Sequence, residues 1–252
     1  MQEGIIVRRF LSIFKMDIIN LFKNPVLIGY NTVLAALLIL IMGFLCSGNY
    51  TNIKDAFQYY AVSLLVYGML GGAITASNCF MERDIKRPNL RIIYSPVGSF
   101  PIYFSKILAS FVFDYSLHIL LMVILCPLLH VTLGGQPAFF ILLMAPIEFV
   151  AAALGIFFCC IFHCEETTSM LLNTVRSLLC VLGGSFFSLD GMGSALAFAS
   201  RLSPVKWLND AFFALSCDNS LALFWPVFIG ASVISALLVL GCRMLFRTED
   251  YI

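Results

Sequence analysis

The chain is short of charge. Of its 252 residues only 12% are Asp, Glu, Lys or Arg, while 61% are hydrophobic. A soluble domain carries about a quarter charged residues, so this composition excludes an ordinary water-solvated globule. The net charge of +1 leaves no basic field for nucleic acid. None of the nine cysteines forms a CxxC pair, which argues against a zinc or redox framework. Most lie in apolar runs, where a thiol packs like a small apolar group. GxxxxGK is absent, so the chain has no P-loop with which to hold ATP. HExxH and GxSxG are also absent, and Glu165-Glu166 lacks the Arg four residues on that a CAAX-type intramembrane protease carries. No catalytic residue and no bound cofactor are therefore expected. His163 with Glu165 and Glu166 is too loose a ligand set to predict a metal. The first residues show no cleavable signal peptide.

Long apolar runs are abundant. A bilayer span needs ~20 mostly apolar residues, and six such stretches are read at 26–46, 57–81, 102–126, 138–162, 168–188 and 222–246. The fold class is thus an all-α membrane protein of six transmembrane helices in one transmembrane domain. Ahead of them, residues 1–24 alternate charge and apolar character. At 100° per residue, Arg8, Arg9, Ser12, Lys15, Asn20 and Lys23 fall on one side of a helix; Val7, Phe10, Phe14, Ile18 and Leu21 fall on the other. Such a helix suits an anionic membrane surface, with packing against the protein's own flank as the plainer reading. Asn24-Pro25 ends it. Residues 189–221 are amphipathic and broken at Ser203-Pro204, which predicts two short helices dipping into the outer leaflet or capping it.

Lys and Arg set the orientation. Arg8, Arg9, Lys15, Lys23, Arg83, Lys86, Arg87, Arg91, Lys106, Arg243 and Arg247 fall on one side of a six-span chain; Lys54, Arg201 and Lys206 fall on the other. Both termini and the linker at 82–101 are therefore expected in the cytoplasm, in a multi-pass plasma-membrane protein.

Three ionisable residues sit deep in the predicted spans: Asp114, Glu148 and Arg176. Charges there are costly and turn toward protein or water. Arg176 is expected to pair with Asp114 or Glu148, either as a tie between helices or as a group that handles substrate or protons. His118 stands four residues after Asp114, on the same helical face. A packed, hydrogen-bonded Asp114–His118 pair is expected, with a proton relay as the other reading.

The order of parts carries a resemblance. Span two exits into Glu82-Arg83-Asp84, followed by Ser95-Pro96-Val97 and then Lys106; before the last span come Ser203-Pro204 and Trp207. This arrangement resembles the membrane subunit of an ABC-2 type transporter over nearly the whole chain. Lys86-Arg87-Pro88-Asn89 departs from the Gly-Thr that usually follows the acidic-basic-acidic triplet.

The resemblance implies two permease subunits, identical or paralogous, each docked on a P-loop ATPase that binds the ATP and Mg. It makes 82–101 a coupling segment, with Glu82, Arg83, Asp84, Leu90, Arg91, Ile92, Ser95 and Pro96 meeting the ATPase. It implies a substrate cavity lined by spans two and five, here Tyr60, Tyr67, Asn78, Asn173, Phe186 and Phe187. That wall suits a hydrophobic or amphipathic passenger such as a drug, lipid-like molecule or antimicrobial peptide, moved outward. Short chains of this kind also resemble immunity and peptide-export permeases of Gram-positive bacteria. The competing reading is a proton-coupled secondary transporter using Asp114, Glu148 and Arg176.

Overall fold

A computed structural model describes residues 2–82, 99–187 and 193–246. Arg83, Asp84, Leu90, Arg91, Ile92, Ser95 and Pro96 of the predicted coupling segment lie outside the described residues. Every regular element among the described residues is helical. In chain order these are α1 (Gln2–Lys23), α2 (Pro25–Leu45), α3 (Ile53–Met81), α4 (Ser99–Leu129), α5 (Pro137–Phe162), α6 (Glu165–Leu182), α7 (Ser194–Leu202), α8 (Pro204–Ser216) and α9 (Phe224–Leu245).

Five of them, α2, α3, α4, α5 and α9, are long and apolar enough to cross a membrane. The expected fifth span at 168–188 departs from this pattern. Its helix starts at Glu165, carries Glu165, Glu166, Asn173 and Arg176, and stops at Leu182, where the Gly183-Gly184 turn ends it. The third expected span begins at Ser99 rather than 102, so the last three residues of the presumed coupling linker belong to the α4 helix. Glu82 is the C-cap of α3.

Local chemistry sets the boundaries. The Asn24 side chain accepts from the backbone N–H groups of Val26 and Leu27 at 3.1 and 3.3 Å, and Pro25 occupies the first helical position, so α1 stops and α2 starts in a new direction. Just beyond this first turn, Gly29–Leu34 wind as a π-helix inside α2. His163 takes a left-handed conformation (φ 56°) and closes α5 before the tight turn into α6. Ser203-Pro204 separates α7 from α8, as expected.

α3 is the axis of the bundle, buried along most of its length and packed on α2, α4, α5 and α6. Between lipid-facing helices there is little hydrophobic drive, so close approach of small residues carries the packing. At the α3–α5 crossing, a Cβ on Gly155 would fall on the Ala73 backbone oxygen, with the Ala76 methyl 3.0 Å away. Only glycine allows that approach. Outward, α9 presents Trp225, Ile229, Val233, Leu237 and Met244, and α4 presents Val123, Ile124 and Leu128, as a lipid-contacting wall would.

α1 lies along α4. Ile13, Asp17 and Leu21 are buried, whereas Val7, Leu11, Met16 and Phe22 are exposed beside the cationic face. The helix therefore packs on the protein's flank and still leaves an apolar strip uncovered. Lys106 is fully buried, with its Nζ 2.9 Å from Asp17 Oδ1. The sequence counts Lys106 among the cations of one membrane side; the fold makes it the inner half of an α1–α4 tie.

Candidate functional site

The deep ionisable residues converge on one stretch of α3, Gly68 to Thr75. Three glycines there act as sockets. A Cβ on Gly68 would stand 3.0 Å from His118 Nε2; one on Gly71 would collide with Arg176 Nη1; one on Gly72 would lie 2.8 Å from Asp114 Oδ2 and 3.4 Å from Glu148 Oε2. Side chains from α4, α5 and α6 thus reach the α3 backbone where side chains are missing.

The pairing inside the cluster corrects two expectations. Arg176 forms no ion pair with Asp114 or Glu148. Its Nη2 donates to Tyr67 Oη at 2.8 Å and to Asn173 Oδ1 at 2.7 Å, and its guanidinium carbon lies 4.0 Å from the Tyr67 ring centroid and 5.8 Å from that of Tyr30. The reason is geometric: Arg176 enters on the Gly71 side of α3 and the carboxylates on the Gly72 side, about 100° apart around the helix. Nor does Asp114 pair with His118. His118 Nδ1 is 2.5 Å from Glu148 Oε1, and both side chains are fully buried. The i,i+4 spacing brought Asp114 and His118 to one face, but α5 supplied the partner. Both Asp114 oxygens and Glu148 Oε2 are buried without a hydrogen-bond partner among the described residues, and they face the same gap beside Gly72.

The expected cavity residues divide. Tyr67, Asn173 and Phe186 cluster around Arg176; the Phe186 ring centroid is 5.3 Å from that of Tyr67. Phe187 is exposed. Asn78 lies further along α3, half-buried, with an unpartnered side-chain oxygen. Tyr60 does not belong with them: it is 2% exposed and stacks edge-on against Tyr50 and Tyr59 inside the bundle. α6 shows an exposed face of Met170, Asn173, Thr174, Leu178 and Val181. Its last turn is held by Ser203 Oγ donating to Leu179 O at 2.8 Å, and the following turn by Asn209 Nδ2 donating to Gly183 O at 3.0 Å.

Sequence reading missed Tyr30 and Asn31 of the π-helix, the Gly68, Gly71 and Gly72 sockets, and Asp17. Each left a signal. Tyr30-Asn31 interrupts an apolar span, GxxGG sits in the middle of span two, and Asp17 is an acid on the apolar side of α1. Among the described residues, no group of three or more His, Cys, Asp or Glu side chains is placed to hold a metal ion.

The family model for ABC-2 type transporters matches residues 8–215, from α1 to the last turn of α8. The chain belongs to the ABC-2 type transporter family. It is a permease subunit of an ABC transporter, and its apolar helices make it a multi-pass membrane protein. No curated protein matches the chain. Family membership replaces the secondary-transporter reading.

Proposed function

We propose that this ABC-2 permease subunit exports a hydrophobic or amphipathic molecule, powered by a separate P-loop ATPase that binds ATP and Mg, while the chain itself performs no chemistry. Two permease subunits, identical or paralogous, form the pathway with two ATPases in a plasma membrane, bacterial in origin. α6 acts as a sixth span, which puts both termini in the cytoplasm. α1 lies at the inner surface, the 82–101 segment docks on the ATPase, and α7–α8 dip into the outer leaflet.

One observation carries this reading. α6 buries Thr168, Leu172, Arg176 and Cys180 against the bundle but turns Asn173 and Thr174 outward among Met170, Leu178 and Val181. Such a face is too polar for lipid and too apolar for bulk water. A shared pathway between two subunits supplies the mixed surroundings it needs. Drugs, lipid-like molecules and antimicrobial peptides all fit such a wall.

Purification in mild detergent tests the proposal. The permease is expected to bring down a P-loop ATPase with vanadate-sensitive hydrolysis. Arg91→Glu is expected to keep insertion and ATP hydrolysis but uncouple transport. A permease that purifies without any ATPase sinks the reading, and normal transport by Arg91→Glu sinks the docking assignment.

A further inference from the structure

Between α2, α3 and α6 runs a narrow groove, open at its mouth and enclosing about 20 Å³, lined by Tyr30, Asn31, Leu34, Leu38, Tyr67 and Arg176 among others. Three of its polar atoms are buried without a hydrogen-bond partner among the described residues: Tyr30 Oη, Asn31 Oδ1 and Arg176 Nε. Asn31 is 2% exposed and Arg176 7%. Unsatisfied polar atoms are individually costly, and natural proteins keep few of them. Three lining one groove mark a place where something else completes the bonding.

The backbone is adapted to the same groove. The π-helix at Gly29–Leu34 adds a residue to the turn that carries Tyr30 and Asn31. Such bulges recur at functional sites. Asn31 Nδ2 is anchored to Leu27 O at 3.2 Å and to Thr75 Oγ1 at 3.1 Å, which fixes the residue in place. On the facing helix, Gly71 leaves room for the guanidinium.

Charge decides what fits. Arg176 forms no ion pair with an acidic side chain of the described residues; its partners are a phenol, an amide and two aromatic faces. All of them are neutral, so no acidic group satisfies the guanidinium's hydrogen bonds. It lies beside Gly71, ten residues before the end of α3 at Met81, or about 15 Å along the helix axis. That is within the apolar part of a bilayer. A resident lipid keeps its headgroup at the surface, whereas a passenger must bring its polar end through. Leu34 and Leu38 continue the wall as an apolar flank beside the cation.

We propose that this groove is a binding site for the acidic head, carboxylate or phosphate, of a transported single-chain amphiphile. Arg176 takes the anion, Tyr30 Oη donates a second hydrogen bond, and the α2 leucines take the chain. Calling the ligand a passenger rests on the export reading above. Binding is measured on the permease alone, so the absence of an ATPase would refute that reading without touching this one.

Radiolabelled lauric acid, with the purified permease in a neutral maltoside, is the probe. Saturable binding is expected, displaced by dodecyl phosphate and not by dodecyltrimethylammonium. Arg176→Gln is expected to weaken it at least about tenfold, and Tyr30→Phe about threefold. Leu38→Trp, which fills the apolar flank without touching a charge, should abolish it. Monodisperse elution and an unchanged thermal midpoint establish that each variant folds. If Arg176→Gln does not fold, Tyr30→Phe and Leu38→Trp decide the matter. Wild-type affinity in the folded variants, or equal displacement by the cationic amphiphile, overturns the site. Displacement of laurate by phosphatidylglycerol that also co-purifies in stoichiometric amount overturns the passenger assignment in favour of a resident lipid.

Discussion

Two buried sets of charge in this bundle behave differently. At the α1–α4 joint, Lys106 and Asp17 are paired at 2.9 Å, and Ser105 Oγ also reaches the Asp17 carboxylate at 3.4 Å. In the middle of the bundle, among the described residues, Asp114 has no hydrogen-bond partner and Arg176 no acid, although both reach the same short stretch of α3. The first set has the bonding that a structural tie needs. The second holds ionisable groups apart, on faces of a glycine-lined helix about 100° from one another, with unsatisfied atoms around them. A charge kept unpaired at a cost is better explained by work with a ligand or a proton than by stability.

The comparison can be broken, and the largest effect lies on the paired side. Lys106→Met leaves Asp17 buried without its cation, and a loss of about 3–5 kcal/mol is expected. It should read as a collapse of membrane abundance and of the thermal midpoint, with the double variant Asp17→Leu, Lys106→Met recovering most of it. An unaffected single variant would show that the tie is idle. Next comes the socket. Gly72→Val drives a side chain toward Asp114 Oδ2 and Glu148 Oε2, with an expected loss of about 1–3 kcal/mol from overpacking. Gly230, which has open space around it, should tolerate the same change.

Asp114→Asn should cost less than about 1 kcal/mol, because no hydrogen bond is lost with the charge. A destabilisation as large as that of Lys106→Met would place Asp114 with the structural ties and end the contrast. The mildest test leaves the protein unaltered. Cys164, between α5 and α6, and Cys217, after α8, are both exposed thiols. The backbone N–H of Thr167 holds the Cys164 thiol below its usual range, so more of it is thiolate at neutral pH and it labels readily. If α6 crosses the membrane, an impermeant maleimide added to intact cells labels Cys217 and spares Cys164 until permeabilisation. Labelling of both from one side would make α6 a non-spanning helix and take Arg176 out of the bilayer interior.

Five helices long and apolar enough to cross a membrane were readable from hydropathy because their apolar runs are long and nearly unbroken. α6 was harder to place. Glu165, Glu166, Asn173 and Arg176 lower its hydropathy, and its end is fixed by the Gly183-Gly184 turn that Asn209 grips from α8. The break at Ser203-Pro204 and the stop at Asn24-Pro25 were legible because proline restricts the backbone locally. The candidate site was legible only as a set of residues. Asp114, His118, Glu148 and Arg176 stand out in any apolar run, but their partners depend on which side of α3 each one reaches. Tyr60 shows the converse: its residue type suited a cavity, and packing placed it in the core.

The sequence alone determined that this chain lives in a membrane, which segments are helical, where prolines break them and which family its order of parts resembles. Those properties are sums over local residues, so no neighbour is needed to read them. Only the tertiary structure decided that Lys106 belongs to Asp17, that His118 belongs to Glu148, and that Arg176 sits beside Tyr30 and Tyr67 with no acid of the described residues paired to it. Pairing in a bundle is set by the rotation of each helix about its axis. That rotation is fixed where Gly68, Gly71, Gly72 and Gly155 let side chains and backbones approach α3.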